Sequence, residues 1–170
     1  SLGALPRRVS QRMRTAVDEE WGRGLIRSWN DADWYKAPQR AGAAIARLVG
    51  ADEDEVIVCD STSVNLYKVL MGALRMQAGR RVIVSERGNF PTDLYIAQGL
   101  LTSLGRGHEL RIVSPEEVAD AIDESVAVVM LTEVDYRTGR LHDMTDITRR
   151  ARHAARPHHQ LGTDRGDHRL

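Results

Sequence analysis

Lysine is scarce in this chain of 170 residues: of its 24 basic side chains only Lys36 and Lys68 are lysines, and the rest are arginines. Any chemistry that needs a lysine amine therefore has two candidates. Lys36 begins a helical pattern and Lys68 sits inside another, so both read as solvated side chains. Cysteine is scarcer still. Cys59 is the only one, which excludes a disulfide framework. It ends the apolar run Val56-Ile57-Val58-Cys59 and is expected to be a buried, inert thiol. Net charge is absent too, with 24 acidic residues against 24 basic ones. That balance gives no footprint for nucleic acid. No apolar run approaches the roughly 20 residues of a membrane span, and no signal-peptide pattern is present. A soluble, cytoplasmic chain with no membrane partner is the expectation. His153, His158, His159 and His168 match no metal-ligand spacing, so no metal site is expected.

What is present is an alternation. Leu5 to Glu20 fits an amphipathic helix with Val9, Met13 and Val17 on one face. Trp21 to Trp34 is broken by Gly22, Gly24 and Asn30 and reads as a loop. Its three tryptophans, Trp21, Trp29 and Trp34, are either packing or a lid, with packing the simpler reading. Lys36 to Val49 is helical and Gly50 is a stop. Strand patterns follow at Val56–Cys59, Arg81–Ser85, Leu110–Val113 and Ser125–Leu131. Helical patterns fall at Thr62–Met76, Thr92–Leu104, Pro115–Ile122 and Met144–Ala155. Buried strands separated by helices imply an α/β fold with a mostly parallel sheet flanked by helices. The expected organisation is a helical segment with a substrate loop over 1–50, a partial α/β domain over 51–155 and a tail over 156–170. The tail carries two leucines as its only large apolar residues and should be disordered.

Two motifs carry chemistry. Asp60-Ser61-Thr62-Ser63-Val64-Asn65 places hydroxyls where an apolar run gives way to a helix. The open N–H groups and dipole of a first helical turn favour an anion, so Thr62 and Ser63 could seat a phosphate. Ser and Thr are also ordinary N-caps, and that reading stays open. Asn89-Phe90-Pro91-Thr92-Asp93 offers the only phenylalanine and a carboxylate on a loop after the next strand. Phe90 could stack on a ligand ring or cover a core edge.

These motifs resemble kynureninase. The likeness runs through Ser1–Pro6, Asp18–Asn30, Cys59–Leu66, Val84–Arg87, Asn89–Tyr95, Leu131–Gly139 and His142–Met144. It implies the large domain, here incomplete, of a pyridoxal 5'-phosphate (PLP) enzyme of the aspartate-aminotransferase fold type, a homodimer when full length. The implied reaction is hydrolysis of kynurenine to anthranilate and alanine, in the tryptophan catabolism that also feeds NAD biosynthesis. Carried over, Thr62 and Ser63 hold the cofactor phosphate, Phe90 stacks on the pyridine ring, Pro91, Thr92 and Asp93 line the same loop, and Thr132 approaches from its strand end. Ser1 and Trp29 face the substrate. Another PLP enzyme of the same fold, such as a cysteine-desulfurase relative, is the alternative against which the Trp-rich loop and Asn89–Asp93 argue.

The family also needs a lysine that binds the cofactor covalently and an acid for the pyridinium nitrogen. Their motifs belong after residue 155, and Lys36 and Lys68 match neither, so no catalytic lysine is assigned. A chain inactive by itself, or a non-catalytic remnant that binds PLP weakly, is the expectation. Codons for Asp164–Leu170 can be chosen that, read one base later, encode an apolar strand, so a frameshifted gene is the expected origin of the tail.

Overall fold

A computed structural model describes residues 3–105 and 107–155, which fall into two compact units divided after Asp60. Ser1 and the tail over 156–170 lie outside the described residues.

The first unit is helical. Helix α1 spans Arg7–Arg14 and continues as a π-helical stretch over Thr15–Trp21. The expected loop after Trp21 instead holds short helical pieces: 3-10 turns at Leu25–Arg27 and Trp34–Lys36, with α2 at Ser28–Asp31 between them. Glu20 organises them. Its carboxylate accepts from Trp34 Nε1 at 2.7 Å and pairs with Arg12 at 3.0 Å, while its backbone carbonyl accepts from the buried Ser28 hydroxyl. Local hydrogen bonds thus replace the missing apolar period. Helix α3, Ala37–Val49, ends on Gly50 at φ +74°, the left-handed stop its sequence predicts.

Val56–Cys59 is not a strand. It runs without regular structure beside α3, where Val58 N–H donates to the Pro38 carbonyl at 3.3 Å. A Cβ on Gly42 would lie 1.9 Å from the Val56 oxygen, so only glycine admits this approach. With no ladder partner among the described residues, the run stays outside a sheet: Ile57 is 57% exposed, and Cys59 is exposed rather than buried.

The second unit is the α/β layer. Helix α4 (Thr62–Met76) leads into β1 (Val82–Glu86), α5 (Pro91–Leu104), β2 (Glu109–Val113), a 3-10 turn at Pro115–Glu117, β3 (Val126–Val129) and α6 (Met144–Ala154). The three strands are parallel in the order β2-β1-β3. Central β1 is buried along its whole length, as a strand covered on both faces must be. Alternation then sorts its side chains. Ile83 packs with Leu70 and Leu74 of α4 and with Ala97 and Leu100 of α5. Val82 and Val84 pack with Val126 on the opposite face. Each buried Leu, Ile or Val among them contributes about 1.5–3 kcal/mol. Pro91 in its first turn and Gly105 after its last bound α5.

Candidate functional site

The strand-to-helix turn after β1 is held by buried polar groups. Ser85, Glu86 and Asn89 are each at most 5% exposed. Asn89 Nδ2 donates to Ser85 Oγ at 3.0 Å and to the Met130 carbonyl at 3.4 Å. Its Oδ1 accepts from the Phe90 N–H at 2.7 Å and from Thr132 Oγ1 at 2.9 Å. The chemistry fixes the amide's orientation, because the Phe90 N–H can only donate and the Met130 carbonyl can only accept. One side chain therefore joins the end of β1, the start of α5 and the segment after β3.

Phe90 follows as the residue before α5 and is 49% exposed. Tyr136 meets that ring edge-on at 5.4 Å between centroids, and Arg137 lies 5.4 Å from the Tyr136 centroid. Pro91, Thr92 and Asp93 form the first turn of α5. Partial burial raises the Asp93 carboxyl above the usual aspartate range.

Thr62 and Ser63 open α4, and neither is its N-cap. Ser61 is the cap, its Oγ accepting from the Val64 N–H at 3.4 Å. The plain-cap reading of Thr62 and Ser63 therefore fails. Helix α4 runs into β1 and α5 runs out of it, so both helix starts open at the end of the sheet where the parallel strands finish. That edge is where open parallel sheets bind ligands. Thr132, just past β3, reaches the same edge through Asn89. Trp29 belongs to the first unit, where it is 50% exposed, as is Trp21 at 63%. Neither of these two indoles is packed away. Lys36 and Lys68 are both exposed.

The sequence reading missed the buried ionic groups behind this turn. Glu86 is paired with Arg140 Nη2 at 2.7 Å and lies 3.1 Å from His142 Nε2. Asp135, 7% exposed, accepts from the Thr138 and Arg137 backbone N–H groups, which hold its carboxyl below the usual range. Together they clamp the turn between Val134 and Leu141, a two-residue antiparallel bridge, against the end of β1. A glutamate directly after an apolar strand was the available signal. Among the described residues no group of three or more His, Cys, Asp or Glu could hold a metal ion, and no helix is long and apolar enough to cross a membrane.

Comparison with known proteins agrees with this architecture. The aminotransferase class-V family model matches residues 4–156. Kynureninase of Burkholderia mallei strain SAVP1 is 52% identical over 159 residues, spanning 91% of this chain and 38% of the relative. Kynureninase of Pseudomonas fluorescens is 55% identical over 153 residues, spanning 87% and 37%. This chain thus spans well under half the length of those relatives. Among solved structures, a NifS-like protein superposes with a TM-score of 0.71 at 15% identity, covering 90% of this chain and 44% of that one. DndA from Streptomyces lividans gives 0.70 at 22% identity, covering 89% and 46%. Both show the fold alone.

Proposed function

This chain belongs to the aminotransferase class-V family, a family of PLP enzymes, and from that premise we propose that it carries the phosphate and ring seats of a kynureninase. In the whole protein those seats serve the hydrolysis of kynurenine to anthranilate and alanine, in a cytoplasmic homodimer. The observation that carries this reading is the shared edge. The α4 start with Thr62 and Ser63, the exposed Phe90 ring and Thr132 all open at the finishing end of one parallel sheet.

The residues present fit the cofactor's two non-covalent halves. The first-turn N–H groups of α4 and the Thr62 and Ser63 hydroxyls suit a dianionic phosphate. Phe90, in T-shaped contact with Tyr136 and about half exposed, offers its ring to an aromatic ligand. Asp93 and Thr92 line the turn beside it. Bound PLP supplies an electron sink for the substrate's cleaving bond. This chain's own part is to bind and orient. Ser1 and Trp29 are proposed to meet the substrate.

Within these 170 residues neither lysine matches the covalent-binding motif, and both are exposed. That favours a second reading, in which the chain by itself binds PLP reversibly and performs no turnover.

Equilibrium dialysis against PLP and against pyridoxal tests the proposal. PLP should bind and pyridoxal should bind at least about tenfold more weakly, since a charge-assisted phosphate contact contributes about 1.5–3 kcal/mol. Replacing Thr62 and Ser63 by alanine should shrink that difference, leaving the part that the first-turn N–H groups supply. Equal affinity for both compounds in the unaltered chain refutes a phosphate seat.

A further inference from the structure

The four hydrogen-bonding positions of the Asn89 amide are divided by role. Its two donors grip scaffold: Ser85 Oγ at the end of β1 and the Met130 carbonyl just after β3. Its oxygen holds the two groups that face the open edge, the Phe90 N–H and Thr132 Oγ1. Ser85 Oγ also donates to the Met130 carbonyl at 2.8 Å, which braces the donors' side. We propose that Asn89 is a positioning residue that sets the tilt of the Phe90 ring and the polarity of the Thr132 hydroxyl toward the ligand; this rests on the cofactor seat proposed above.

The polarity follows from bookkeeping of protons. Asn89 Oδ1 has no hydrogen to give, so the Thr132 proton points into it. Thr132 Oγ1 is then left as an acceptor toward anything at the edge. A ligand atom that carries a proton is welcomed there, and an anionic oxygen is disfavoured. Thr132 is exposed while Asn89 is 5% exposed, so the polarity is imposed from inside the fold. The same oxygen ties down the backbone on which Phe90 swings, so ring and hydroxyl are set together.

The test uses the 170-residue chain with PLP as the probe. Three readouts are taken: melting without PLP, PLP affinity by fluorescence quenching, and the circular-dichroism band of the bound chromophore. Asn89→Ala should weaken PLP binding about tenfold and change the sign or intensity of that band. Asn89→Ala combined with Thr132→Val should cost less than the sum of the two single substitutions, because the amide acts in part through Thr132. If Asn89→Ala lowers melting but keeps the affinity and the band, the residue is only structural and the proposal fails. If Asn89→Ala does not fold, Thr132→Val, altered only at an exposed side chain, decides: a changed band supports the proposal and an unchanged one overturns it. Absence of PLP binding by the unaltered chain overturns the cofactor seat itself, and this inference with it. Normal binding with an indifferent Asn89 overturns this inference alone.

Discussion

Arg140 places its Nη2 2.7 Å from Oε2 of Glu86, a carboxylate only 1% exposed at the end of the central strand. Removing Arg140 leaves the buried Glu86 carboxylate with only the His142 ring as a charged-group neighbour, 3.1 Å away. Arg140→Met should therefore destabilise the second unit by about 1–3 kcal/mol, below the usual buried-pair loss because Arg140 itself is 33% exposed. Glu86→Met/Arg140→Met together should cost less than Arg140→Met alone. Urea unfolding of the unaltered chain and the two variants reads this directly.

Asp135 gives the fold an acid-sensitive clasp. Backbone N–H groups of Thr138 and Arg137 lower its carboxyl in the folded state. A depressed acid contributes stability above its unfolded value, about 3.9, and loses it as pH falls through the folded value. The melting temperature of the unaltered chain should fall below about pH 4, and Asp135→Asn should flatten that fall. Parallel melting curves against pH for both proteins check it; identical slopes refute the assignment.

Two glycine substitutions should act in opposite directions. Gly42→Ala would drive a Cβ to 1.9 Å from the Val56 oxygen, and overpacking of that kind costs about 1–3 kcal/mol. Gly72, inside α4, has open space where its Cβ would sit. Gly72→Ala should stabilise by about 0.5–1 kcal/mol through helix propensity. Thermal melts of the pair distinguish them.

The surface is apolar in places. Val69 and Met76 on α4 are 66% and 84% exposed, and Leu48 on α3 is 85% exposed. Large apolar side chains exposed in each unit promote association. The chain should sediment as a concentration-dependent oligomer or aggregate. A sharp monomer peak across a hundredfold dilution series would contradict this.

The α/β alternation was legible because each element carries a local period. β1 begins with the apolar run Val82-Ile83-Val84 and Val126–Val129 is apolar throughout, and Gly50 and Gly105 stop helices by backbone geometry. Val56–Cys59 has the same apolar signature but no neighbouring strand among the described residues, and pairing is not a local property. Cys59 followed that error. The Thr62/Ser63 and Phe90 motifs stood out as short runs. The bonding role of Asn89 within its motif did not, since its partners Met130 and Thr132 lie 41 and 43 residues away. Glu86 and Arg140 are separated by 54 residues, and only the folded chain makes them neighbours.

The central claim is that this chain seats the PLP phosphate and ring without a covalent grip on the coenzyme. The direct measurement is borohydride reduction of the chain with saturating PLP, followed by peptide mass spectrometry. PLP should bind reversibly by dialysis while Lys36 and Lys68 gain no stoichiometric pyridoxyl mass. A one-to-one adduct on either lysine, accompanied by anthranilate release from kynurenine, would contradict the account.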